Sequence, residues 1–89
     1  MNSKVTRHYI DAFDRLPGHI KQNVRSKYTQ FKTEPFHESL QFKQTVLGIW
    51  SVRINMQYRV LGRRNGNTIV WFWIGTHGEY DNLLKRLRG

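Results

Sequence analysis

Between Thr68 and Gly75 the chain runs Ile69-Val70-Trp71-Phe72-Trp73-Ile74, apolar and largely aromatic throughout. A strand of that composition needs cover on both faces, so it belongs inside a sheet rather than at its rim. Just before it, Asn65-Gly66 is a strong two-residue hairpin signal of type I′, whose central positions both need positive φ. The run must therefore fold back on the segment before it.

That segment, Tyr58-Arg59-Val60-Leu61-Gly62-Arg63, reads as a strand. Trp50-Ser51-Val52-Arg53-Ile54 alternates apolar and polar residues and reads as another, with Asn55, Met56 and Gln57 as the turn between them. Upstream the period changes. Tyr9, Phe13 and Leu16 form a helical stripe that Pro17-Gly18 ends, and Ile20, Val24, Tyr28 and Phe31 form a second that Pro35 closes. This is a helical hairpin with an aromatic face to bury. From Phe36 to Leu47 the pattern is irregular and reads as a loop leading into a short edge strand. After the aromatic run, Thr76-x-x-Glu79 has the spacing of a capping box, and Tyr80, Leu83, Leu84 and Leu87 continue at helical spacing. The expected class is α+β in the order α-α-β-β-β-α: an N-terminal helical hairpin packed on a small antiparallel sheet, with a short C-terminal helix. At 89 residues one domain, 1–89, is expected.

Charge narrows the function. Fifteen Lys and Arg against six Asp and Glu leave a net +9, which favours a polyanionic partner. With no cysteine there is no disulfide scaffold, Cys-based zinc site or thiol nucleophile. Four scattered histidines show no metal-ligand spacing, and there is no Gly-rich phosphate loop, so neither a metal nor a small-molecule cofactor is expected. No apolar run reaches eighteen residues and the N-terminus lacks the apolar core of a signal peptide, so a cytoplasmic protein without membrane attachment is expected.

If Trp50, Val52 and Ile54 point to the core, Ser51 and Arg53 share the other face, and Arg59, Leu61 and Arg63 share one face of the next strand. An antiparallel register can put Arg53 beside Arg59. Two adjacent guanidinium groups repel unless an anion lies between them, and their forks match phosphate; an ordinary solvated strand face is the plainer account. His77 ends the buried strand and opens the last helix, where an imidazole could move a proton near neutral pH, or simply bond a nearby carbonyl. Tyr80 and Asp81, three and four residues on, share its helix face. Asp81 could orient the imidazole and Tyr80 could stack on a base, or they could serve as a helix-start charge and a core residue. His37 is a further candidate, in a segment whose position the pattern leaves open.

The strings WSVRI, YRVL and WFWIGTHGEYDNLL, after a helical hairpin ending in LP, resemble the RelE/ParE superfamily of toxins from type II toxin–antitoxin systems. The resemblance covers nearly the whole chain. It implies a compact α+β fold and a cognate acidic antitoxin. RelE-like members cut messenger RNA in the ribosomal A site; ParE-like members share the fold, poison DNA gyrase and lack the catalytic residues. It further implies that Arg53 matches a basic position contacting the RNA backbone and Arg59 the arginine that stabilises the scissile phosphate. His77 falls where ribonuclease members carry an arginine or histidine for acid–base chemistry. Tyr80 loosely matches a later tyrosine or histidine, and His37 a loop histidine of certain branches. Ser51 departs from the pattern, standing where some ribonucleases have a second lysine. The expected function is metal-independent endoribonuclease cleavage of mRNA in association with the ribosome, with His77 and Arg59 catalytic and Arg53, Arg63 and Tyr80 binding nucleic acid. A gyrase-directed toxin and a non-toxic basic RNA-binding domain are the alternatives.

Overall fold

The computed structural model describes residues 1–88. Its elements are β1 (Asn2–Val5), α1 (Arg7–Asp14), α2 (Gly18–Thr33), a 3₁₀ turn (Glu38–Leu40), β2 (Lys43–Val46), β3 (Ile49–Arg53), β4 (Tyr58–Asn65), β5 (Thr68–Thr76) and α3 (His77–Arg88). The strands form one sheet in the order β1-β5-β4-β3-β2. The helical hairpin, the three main strands, the short edge strand after the irregular segment and the final helix all lie where the sequence pattern places them. β5 is an interior strand, as its composition requires.

Two features differ from expectation. The sheet is mixed rather than antiparallel, because β1 pairs with β5 in parallel, Ser3 opposite Ile69 and Val5 opposite Trp71. Asn2–Val5 is short, mostly exposed and without alternation, so its pairing follows from the free edge of β5 rather than from its own pattern. The β4–β5 turn is also shifted by one residue. Asn65 pairs with Thr68, leaving Gly66 and Asn67 as the loop. Positive φ occurs at Gly66 (60°) and not at Asn67, the type II′ arrangement rather than type I′.

Both faces of the sheet are covered, by different helices. On one face α2 buries Ile20, Val24 and Phe31 against Val52, Val60, Ile69 and Trp71, Tyr9, Ala12 and Phe13 of α1 pack partly buried beside them, and Leu40 and Phe42 close the end of this core. On the other, Tyr80 and Leu84 of α3 pack on Ile49 and Leu61, with Phe72 and Trp73 at their margin. A bulge makes this possible: Leu61 pairs with Trp73 but Gly62 with Trp71, so Phe72 is an extra residue. The adjacent Phe72 and Trp73 then both face α3, against the usual alternation of a strand. Arg64 lies on the hairpin side, 4.6 Å over the Trp50 ring, a cation–π contact that covers the rim of that core.

Candidate active site

On the α3 face the sheet is incompletely covered, and a cavity of about 110 Å³ remains, lined by Gln41, Lys43, Ser51, Arg53, Arg59, His77 and Tyr80. Register puts Arg53 directly opposite Arg59 and Lys43 directly opposite Ser51. Facing side chains of antiparallel neighbours start about 5 Å apart, so the two arginines share one patch. Gly75 completes their row across the sheet, opposite Arg59. A Cβ there would sit 2.5 Å from the Trp73 ring, so any other residue would force that ring to shift.

Arg59 is held rather than free. Its Nη1 donates to the carbonyl of Asn55 at 2.8 Å and to that of Tyr58 at 3.2 Å. Asn55 in turn fixes the β3–β4 turn: its Oδ1 accepts from the backbone N–H groups of Gln57 (2.8 Å) and Tyr58 (3.0 Å), while its Nδ2 donates to Asn23 of α2 at 3.2 Å. Partial burial, and then the neighbouring charge of Arg53, pull the Arg59 pKa below the ordinary arginine value; Tyr80 and Asp81 act in the opposite direction.

His77 is anchored through its backbone, whose N–H donates to the Gln57 carbonyl at 2.6 Å. Its ring is half-exposed, stacks on Tyr80 with centroids 5.9 Å apart, and places Nε2 3.3 Å from Asp81 Oδ2, an ion pair when the imidazole is protonated. The cavity thus brings together an imidazole, a buried tyrosine and three cations. Among the described residues no carboxylate lines it; Asp81 meets the site through His77. Such a surface can bind a phosphate and move a proton beside it.

A family model described as a ParE-like toxin domain matches residues 19–82. The chain belongs to the ParE-like toxin family, within the RelE/ParE superfamily. Solved structures similar to this ParE-like chain agree on the fold. A RelB–RelE antitoxin–toxin complex from Methanococcus jannaschii matches with a TM-score of 0.72 at 14% identity, covering 90% of this chain and 96% of that one. A YoeB/ParE toxin from Agrobacterium tumefaciens matches at 0.66 and 19% identity, covering 86% and 99%. The isolated E. coli RelE toxin matches at 0.64 and 11% identity, covering 97% of each chain. A search of curated protein sequences found no match.

Of the residues singled out from the sequence, Arg53, Arg59, His77 and Tyr80 come together at the cavity, with Asp81 behind His77. Arg63 does not join them. It is exposed on the same face of β4, four residues beyond Arg59 and so about 13 Å along the strand, opposite Ile49. His37 also lies apart. It caps the 3₁₀ turn, its Nδ1 accepting from the Ser39 N–H at 3.2 Å and lying 2.9 Å from Ser39 Oγ. Lys43 and Gln41 escaped the sequence reading, which placed Asn55 only in a turn. Lys43 could have been found from the β2–β3 hairpin, where Val46 pairs with Ile49 around Leu47-Gly48.

The capping box that starts α3 forms in full. Glu79 Oε1 accepts from the Thr76 N–H and hydroxyl, each at 2.9 Å, and Thr76 Oγ1 accepts from the Glu79 N–H at 3.3 Å. The backbone bond first, then the hydroxyl bond, lower the Glu79 pKa from 4.5. A carboxylate with a depressed folded pKa stabilises above its unfolded value and loses that contribution as pH falls through the folded one. Thr76→Ala is therefore expected to cost about 1 kcal/mol at neutral pH. The cost at neutral pH should exceed that at an acid pH below the ordinary carboxylate range, where Glu79 protonates. Urea unfolding of both proteins at the two pH values checks this; an undiminished cost in acid would rule out the reciprocal cap.

Proposed function

We propose that this ParE-like chain is a ribonuclease toxin of the RelE kind, cutting messenger RNA at the ribosome by attack of a ribose 2′-hydroxyl on its own 3′-phosphate. The 2′-oxygen–phosphorus bond forms, the bond to the 5′-oxygen breaks, the 2′-hydroxyl proton leaves to a base and the 5′-oxygen takes one up. The products are a 2′,3′-cyclic phosphate and a 5′-hydroxyl. The observation that carries this reading is the in-register Arg53–Arg59 pair facing one cavity with His77. In this reading Arg59, pinned by the β3–β4 turn, neutralises the charge developing on phosphate, and Arg53 holds the RNA backbone. His77, oriented by Asp81, moves the proton. Tyr80, expected from the sequence to stack on a base, is instead 8% exposed, packed on Ile49 and Leu61 and covered by the His77 ring, so in this reading it supports His77 rather than an RNA base. No resident metal or organic cofactor has a part in it.

The net +9 charge favours an acidic antitoxin as the partner that neutralises the toxin, and draws it in rapidly at low salt. Similar solved structures described as RelB–RelE complexes, from Methanococcus jannaschii and Pyrococcus horikoshii, support that assignment. Among the described residues no helix is long and apolar enough to cross a membrane; in this reading the toxin works on cytoplasmic ribosomes.

The description of the matched family model favours a second reading, a toxin that inhibits DNA gyrase without nuclease activity. In-vitro translation followed by mapping of transcript ends separates the two. Discrete new ends carrying 5′-hydroxyls are expected. Intact transcripts together with inhibited gyrase supercoiling would overturn the ribonuclease reading in favour of the second.

A further inference from the structure

Lys43 lies on the edge strand β2, with an exposed side chain that lines the same cavity as Arg53, Arg59 and His77. It stands opposite Ser51, one row along the sheet from the arginine pair, a step of two residues or about 6.8 Å. Ser51 is 3% exposed and small, so the floor beneath Lys43 is left open where a larger side chain would fill the cavity. A flexible four-carbon stem spans that step with ease, and the ammonium is a compact point charge suited to phosphate.

The electrostatics give the position its meaning. Lys43 adds a third cation to two arginines that already oppose each other, and among the described residues no carboxylate lies within 4 Å of any of the three. An unpaired cluster of this kind is costly in the free protein and favourable once an anion enters. We infer that Lys43 is a phosphate-binding residue of this site, supplying from the neighbouring strand a third cation for the RNA backbone beside Arg53 and Arg59. The inference rests on the RNA-cleaving reading of the site, but its test separates the two.

The probe is single-stranded RNA carrying 2′-O-methyl groups throughout, which binds but cannot be cut by 2′-hydroxyl attack. Its affinity for the full chain is measured between 50 and 200 mM salt for the parent, Lys43→Met, Lys43→Arg and Lys4→Met. Lys4 sits on β1, the opposite edge of the sheet. Each phosphate contact on a single strand contributes about −0.7 to the slope of log affinity against log salt, roughly a 2–3-fold loss over this range. Lys43→Met should flatten the slope by about one contact, while Lys43→Arg and Lys4→Met retain it. On cleavable transcripts Lys43→Met should slow cutting at least about tenfold, less than the 10²–10³ for a preorganised donor, because the lysine is exposed and flexible. An unchanged slope in a folded Lys43→Met protein overturns the Lys43 assignment even if the parent cuts RNA. A flattened slope with a parent that never cuts leaves Lys43 as an anion ligand and removes the ribonuclease reading. Absence of RNA binding by the parent at 50 mM salt overturns both.

Discussion

Arg59→Ala and His77→Ala are each expected to abolish most of the transcript cleavage while leaving the fold in place. Removing a proton-transfer group typically costs about 10²–10⁴ in rate. Removing a preorganised positive group aimed at developing charge costs about 10²–10³. Arg59 is preorganised in that sense, since two backbone carbonyls of the β3–β4 turn hold its Nη1 before any substrate arrives. Neither side chain anchors the core: His77 contributes to α3 mainly through its backbone N–H, and Arg59 is only partly buried. If both are ordinary surface residues, each substitution changes stability by about 0.5 kcal/mol or less and toxicity hardly at all. Growth arrest on induction, scored beside circular dichroism, decides between these accounts, with Lys21→Ala and Lys85→Ala as single-charge controls. Folded Arg59→Ala and His77→Ala proteins that arrest growth as the parent does would move the assignment to gyrase.

The largest stability effect is expected at Trp71. The residue is 4% exposed, and its ring meets Phe31 edge-on at 5.3 Å and approaches Phe42 at 6.3 Å. Trp71→Ala empties the centre of the hairpin-side core and should cost about 3–5 kcal/mol. In a domain of this size each kcal/mol is worth roughly 4–8 °C in Tm, so the variant should unfold well below the parent. Trp71→Phe is expected to cost far less than the alanine variant. Among the described residues the buried indole Nε1 has no hydrogen-bond partner, and its removal relieves a desolvation penalty of about 1–3 kcal/mol that offsets the lost area. Urea unfolding of the three proteins checks the pair. A phenylalanine variant as unstable as the alanine one would show that Nε1 has a partner in solution.

Local pattern was enough for much of this protein. A six-residue apolar run flanked by a glycine turn needs two covered faces, whatever covers them, so the interior position of β5 could be read directly. Helical spacing in 9–16 and 20–31 and the Thr76-x-x-Glu79 box depend on neighbours in sequence, and those elements formed, the first helix ending at Asp14 ahead of Leu16. The Arg53–Arg59 pairing was likewise legible, because a short hairpin leaves few registers open.

Tertiary structure decided the rest, wherever a residue's place depends on a partner far along the chain. Asn2–Val5 has no pattern of its own and became a parallel strand because β5 had a free edge. The bulge at Phe72 turned two consecutive aromatics toward α3, which no strict alternation predicts. His37 was used as a cap, and Arg63 was carried about 13 Å from the site by strand geometry alone. Lys43 entered the cavity because β2 folded back on β3 around Gly48. Which side chains share a cavity is settled by register and by which helix covers which face. Those are properties of the assembled sheet, whereas the elements themselves follow from forces that act within a few residues.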